Sequence, residues 1–281
     1  MPAAYTHYKF GQEVLFHLSN KKLREVIAHY PKMFDLGLYG PDILFYHGIP
    51  GKKELNYLGF ALHKEKAAVF FAYAKDIIME KNNPARGEGL AYILGAICHF
   101  VLDSECHSYI EYCIENKGLS HTEMEMDLER ELLERDGYNP VSHNPVYIKL
   151  TKREAEYVAM FYQGVTGWQI GISLQHMKRV TGWLLPTNMV KRGTLHSLLG
   201  ISGRYSMLKG LIMRSSANEK CETSTMELMR RFDGAIPVAV TLMMNYYWYL
   251  LGRENLSQRF NRTYGPDRQE MERIAEQIKM K

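Results

Sequence analysis

From Leu90 to Cys98 the chain reads Leu-Ala-Tyr-Ile-Leu-Gly-Ala-Ile-Cys, and it continues His-Phe-Val-Leu-Asp-Ser-Glu-Cys-His to His107. A helix this apolar has to be buried, so the polar side chains that share its face point into protein. Each four-residue step along a helix turns by about 40° and climbs about 6 Å, which stacks His99, Asp103 and His107 in one drifting stripe. Unpaired imidazole and carboxylate cost several kcal/mol in such surroundings. Something must satisfy them. The two histidines stand about 12 Å apart along the axis, too far to share one ion, whereas Asp103 between them has two oxygens and could bridge. That geometry favours more than one metal; the alternative is a pair of buried histidines bonded to Asp103 and the backbone.

With 11 histidines and 31 acidic residues, roughly one His-x-x-x-Asp/Glu pair is expected by chance. The chain has three: His99/Asp103, His107/Glu111 and His121/Glu125. The last follows Gly118-Leu119-Ser120, and Ser120 with Glu123 reads as a capping box, which places the pair on the first turn of a new helix. Taken alone, that pair reads as an ordinary solvated i,i+4 contact.

Apolar residues recur every three to four positions, and long Val/Ile/Thr alternations are scarce, so the fold is expected to be all-α. The spacing predicts helices over 11–29, 58–81, 87–114, 120–136, 151–181, 193–214, 223–252 and 267–280. Turn signals separate them at Tyr30-Pro31, Gly40-Pro41, Gly48-Ile-Pro-Gly51, Asn82-Asn-Pro84 and the Gly137–Pro145 loop. That loop is the best internal boundary, between a region 1–140 that carries the chemistry and a helical region 141–281 packed on it or continuous with it. A net charge of +4 without Lys/Arg blocks gives no support for a nucleic-acid partner. Four cysteines are too few to staple a secreted domain, and the opening residues lack a charged and then apolar leader; a cytoplasmic protein with reduced thiols is expected. The uncharged stretch 234–252 has about the length of a membrane span, but Pro237, Thr241, Asn245 and its tyrosines read as a buried core helix, so no transmembrane segment is expected.

Upstream stand His7, then Gly40-Pro41-Asp42, then His63 within Leu58-Gly-Phe-Ala-Leu-His63. Asp42 alone reads as a helix cap, and His63 alone as a core histidine with His47 as its competitor. The order of all these features resembles the zinc-dependent phospholipase C family, whose relatives include P1/S1-type nucleases. The resemblance covers about residues 1–130 and implies a multi-helical bundle with a C-terminal helical extension. It implies two or three zinc ions: Asp42, His63, His99 and Asp103 at the first, His107, His121 and Glu125 at the second, His7 with the bridging Asp103 at the third. Asp42 would also be catalytic. Secreted members separate the two histidines of the stripe differently and use an N-terminal tryptophan amine on the third ion; here Pro2 would have to serve, were Met1 removed. The implied activity is hydrolysis of a small phosphodiester or a phospholipid by zinc-activated hydroxide. The alternatives are a single-strand nuclease-like phosphodiesterase and a non-catalytic helical protein with structural metal. No Glu-x-x-His pair supports a ferritin-like di-iron site, and no adjacent His-Asp pair an HD phosphohydrolase.

Overall fold

The computed structural model describes residues 3–47, 54–80, 83–201 and 209–279. The expectations for Pro2 and for the Gly48–Gly51 break lie outside the described residues. The fold is all-α, with no strand among the described residues. Its helices are α1 (Ala4–His17), α2 (Lys21–His29), α3 (Pro31–Gly37), α4 (Glu54–Lys64), α5 (Ala67–Met79), α6 (Arg86–Lys117), α7 (His121–Arg135), α8 (Lys152–Ala159), α9 (Gly167–Leu184), α10 (Met189–Ile201), α11 (Glu222–Leu250) and α12 (Arg268–Lys279), with a 3₁₀ segment at Gly40–Tyr46.

Helix α6 is the axis of the bundle. Every residue from Gly89 to Ser104 is buried, because α1, α3, α5, α11 and α12 pack around it. Its contact with α3 is backbone on backbone: a Cβ on Gly37 would collide with the Tyr92 carbonyl, and one on Gly95 with the Phe34 carbonyl. This close crossing brings the chain leaving α3 directly against the polar turns of α6. Among the described residues the main hydrophobic core runs from Tyr5 and Phe10 through Val146, Phe161 and Leu174 to Tyr246 and Ile274, on both sides of the Gly137–Pro145 loop, with Leu195 and Ile212 in a small second cluster. The stretch 234–252 lies largely on α11, which buries Ala235, Ile236, Ala239, Leu242, Met243 and Tyr246. Among the described residues, the helix long and apolar enough to cross a membrane is α6, and 94% of its apolar window is buried inside the protein.

Three of the expected long helices are broken, and of the 193–214 helix the described residues hold a helix only to Ile201 and a 3₁₀ turn at Lys209–Leu211. The 11–29 helix divides at Leu18-Ser19-Asn20, where the Asn20 side chain accepts the Leu23 N–H at 3.0 Å and starts α2. The 58–81 helix divides around Lys66, and the 151–181 helix divides where Thr166 and Gln169 form a capping box that opens α9. In each case apolar periodicity continues through the join, so it marks the buried face without marking the break. The expected capping box at Ser120 is absent: the Ser120 side chain caps nothing and lies 3.1 Å from the Thr122 hydroxyl. The Pro31–Gly37 helix and the Gly40–Tyr46 segment, too short to show a period, were not predicted.

Candidate metal centre

Five elements deliver the polar side chains to one cleft. Helix α1 brings His7, the 3₁₀ segment brings Asp42, α4 brings His63, α6 brings His99, Asp103 and His107, and α7 brings His121 and Glu125. They gather into three groups whose ligand atoms lie within 4.8 Å of one another: Asp42, His63 and His99; His107, His121 and Glu125; His7, His99 and Asp103. Asp103 stands at the junction. One of its oxygens lies 3.3 Å from His99 Nε2 and 3.8 Å from His63 Nε2, and the other 3.4 Å from His7 Nε2 and 3.8 Å from His107 Nε2.

Local sequence explains how Asp42 and His7 arrive. Gly40 has φ 52°, in the left-handed region that costs L-residues about 1–2 kcal/mol. A Cβ there would sit 2.5 Å from the His99 ring. Glycine therefore lets the chain turn flat against His99 and present Asp42, which caps no helix. On the other face His7 stacks on His99 at 4.1 Å between ring centroids, with 19° between planes. The buried Glu129 carboxylate of α7 accepts the N–H groups of Tyr5 at 2.9 Å and Thr6 at 3.3 Å and so fixes the first turn of the helix that carries His7.

Three histidines share a further feature. His63 Nδ1 lies 2.7 Å from the Gly59 carbonyl, His99 Nδ1 3.0 Å from the Leu38 carbonyl, and His107 Nδ1 2.6 Å from the Tyr264 carbonyl. A carbonyl can only accept, so each Nδ1 carries the proton and each neutral ring turns its Nε2 lone pair into the cleft. There the lone pairs meet carboxylate oxygens: His63 faces Asp42 at 3.0 Å, His99 faces Asp103 at 3.3 Å, and His107 faces Glu125 at 3.5 Å. Two acceptors cannot bond each other. Nε2 of His63, Nε2 of His99 and Nδ1 of His7 are buried without a hydrogen bond. Either a second proton or a cation must stand between ring and carboxylate, and a backbone carbonyl behind a histidine is the arrangement that orients metal-bound imidazoles. The donor set of neutral imidazoles and carboxylates suits zinc.

The field of the cleft agrees. Burial opposes charge on every group, yet His107 and His99 hold Asp103 well below the usual carboxylate range, and His121 and His107 contribute to the same lowering of Glu125. In turn, against the cost of burial, Asp103 and Glu125 raise His107 to about 9, and Asp103 and Asp42 raise His99. His7 goes the other way, lowered by burial and by His99 beside it. Burial pushes Glu129 up to about 8, helped by the charge of Glu125 and resisted by the two backbone N–H groups.

Outside the three groups the cleft opens into a cavity of about 360 Å³ bounded by Phe45, Phe60, Lys64, Glu111, Thr122 and Pro266. Phe60 packs on Phe45 at 4.6 Å and is 48% exposed, with Tyr57 on the same helix 68% exposed. Glu111, the i+4 partner of His107, lines this cavity and belongs to none of the groups. His47, the competitor of His63, turns toward Trp168. The four cysteines are buried and unpaired. Sequence reasoning missed Glu129, Tyr264 and the carbonyls of Leu38 and Gly59, and only Glu129, a carboxylate one helical turn beyond Glu125, carried any signal.

The sequence profile of the family described as zinc dependent phospholipase C matches residues 6–173, more than half of the chain. No curated protein and no solved structure matches it. The match includes all eight clustered side chains and extends past the Gly137–Pro145 loop through α8 into α9.

Proposed function

The chain belongs to the zinc-dependent phospholipase C family, and on that premise we propose that it hydrolyses a phosphodiester bond, with a phospholipid as the preferred substrate class. The observation that carries this reading is the row of three carbonyl-anchored histidines whose Nε2 lone pairs oppose Asp42, Asp103 and Glu125 beside an open cavity. In this reading Asp42, His63, His99 and Asp103 hold one zinc, His107, His121 and Glu125 a second, and His7 with Asp103 a third. Zinc bound there supplies Lewis acidity toward a phosphoryl oxygen and lowers the pKa of water toward neutrality.

The chain's own residues do the rest. Asp103 offers one oxygen to each side and would serve ions in both groups. Asp42, which His63 and His99 help to keep ionised despite burial, lines the cavity and accepts the proton of the attacking water. Lys64 and Thr122 stand at the cavity where a phosphate would enter and would position it. The apolar wall of Phe45 and Phe60, with Tyr57 outside it, favours a lipid over a nucleic acid, which would call for aromatic pockets flanked by basic residues.

The test is elemental analysis after zinc reconstitution, followed by assays on a phosphatidylcholine analogue, an aryl phosphodiester and single-stranded nucleic acid. Two or three zinc ions per chain with lipid cleavage exceeding that of nucleic acid supports the proposal. Faster cleavage of nucleic acid overturns the substrate class, and metal without turnover of any substrate makes the site structural.

A further inference from the structure

The Nδ1 anchors of His63, His99 and His107 do not have the same origin. Gly59 lies one turn before His63 on its own helix, and Leu38 is part of the close α3–α6 crossing. Tyr264 is different, because it lies 157 residues from His107 and outside the stretch matched by the family profile. We propose that the segment 262–267 is an outer wall of the metal cleft, and that Tyr264 is a positioning residue whose backbone carbonyl aims His107 at the second zinc; this rests on the zinc reading above.

The segment is fastened on both sides of Tyr264. The Ala67 N–H donates to the Arg262 carbonyl at 3.0 Å, and the Asp267 N–H donates to Ser108 Oγ at 3.0 Å. Arg259 and Arg262 both pair with Glu105. Glu105 and Ser108 flank His107 on α6, so the segment is tied to the turn whose histidine it orients. Between these ties the Tyr264 side chain is 2% exposed, with its ring 5.2 Å from that of His63, 5.9 Å from His99 and 5.2 Å from Phe100. The ring walls the first group while the carbonyl holds the second. Gly265 and Pro266 continue the wall to the cavity. The phenol oxygen has no part in this, so the structure predicts that the Tyr264 hydroxyl is dispensable and its ring and backbone are not.

The experiment compares the parent chain with Tyr264→Phe and Tyr264→Gly, using protein labelled with ¹⁵N at histidine and a chelator competition that resolves the bound zinc ions. In the parent and in Tyr264→Phe, His107 shows a protonated Nδ1 with a strongly downfield proton, as a 2.6 Å hydrogen bond requires. In Tyr264→Gly, which keeps the carbonyl but removes the packed ring that fixes it, that downfield shift is lost and the zinc of the second group leaves about ten- to a hundredfold more readily, the size expected when an imidazole loses its orienting partner, while the zinc of the first group, which loses a wall but no orienting bond, changes less. General destabilisation would not move one tautomer signal and one ion selectively. An unprotonated Nδ1 in the parent overturns the proposal, as does a folded Tyr264→Gly that keeps all its zinc affinities. Should that variant not fold, the parent and Tyr264→Phe spectra still decide. A parent that binds no zinc refutes the metal reading, and the His107 signal in that same protein separately confirms or refutes the role of Tyr264.

Discussion

The two ends of the cleft are built differently from similar side chains. At the deep end His99 is fully buried, stacked between Gly40 and His7 and held by the carbonyl of Leu38. At the open end the His121 side chain is 39% exposed, and His107 is held by a carbonyl from the far end of the chain. A buried centre can be fixed by neighbours that are already packed, whereas an accessible one needs an added wall. Asp103 joins them, and the most damaging test of the comparison is to remove its charge. Asp103→Asn should reduce phosphodiester turnover by about three orders of magnitude and release ions on both sides, since an amide can neither bridge nor neutralise. Loss of a single ion by elemental analysis would show that the two ends are independent.

The next largest effect concerns the deep end alone. Asp42→Asn should lower turnover by about two orders of magnitude and weaken the first zinc while the metal-free protein stays folded, because asparagine keeps the volume and loses both the ligand charge and the base. Unchanged turnover would remove Asp42 from the reaction. Gly40→Ala then asks whether the deep end is pre-packed. A left-handed alanine costs about 1–2 kcal/mol and overpacking about 1–3 kcal/mol, so a loss of about 2–5 kcal/mol in urea unfolding is expected, with weaker zinc binding at His99. A neutral substitution would mean that the His99 ring has room to move.

Much of this site was legible in the sequence because metal ligands are residue types at helical spacing: the four-residue steps of His99, Asp103 and His107 survive intact on α6. Their partners on other elements, Asp42 and His63, became legible only through the order of motifs, since spacing says nothing between elements. The anchors were not legible at all. A backbone carbonyl belongs to every residue, so neither Leu38, Gly59 nor Tyr264 announces its role, and contact across 157 positions is decided by packing of α12 and the chain before it on α6. The helix breaks failed to show for a related reason: the buried face continues across Asn20 and Lys66 even where the backbone turns.

The smallest predicted effect is a pH dependence that separates the ends without any mutation. In metal-free protein His107 titrates at about 9 against 6.5 for an ordinary histidine. The folded state thus binds this proton more tightly than the unfolded state. The stability it contributes is complete below pH 6.5 and is lost as pH rises through 9. Glu129, raised from 4.5 to about 8, acts with the same sign and loses its contribution as pH rises through 8. The full His107 shift sets a ceiling of about 3 kcal/mol, and because its attraction to Asp103 and Glu125 is also what lowers those carboxylates, about 2 kcal/mol is expected between pH 6.5 and 9. Zinc reverses the trend, since it must displace the His107 proton and therefore binds the open end more tightly as pH rises. His7, lowered by burial, has no such proton to yield at pH 7. Urea unfolding at pH 6, 7.5 and 9, with and without zinc, should show metal-free stability falling while the zinc increment grows. A metal-free stability that rises over this range would mean that His107 is not held as an imidazolium between Asp103 and Glu125, and the contrast between the two ends would lose its electrostatic basis.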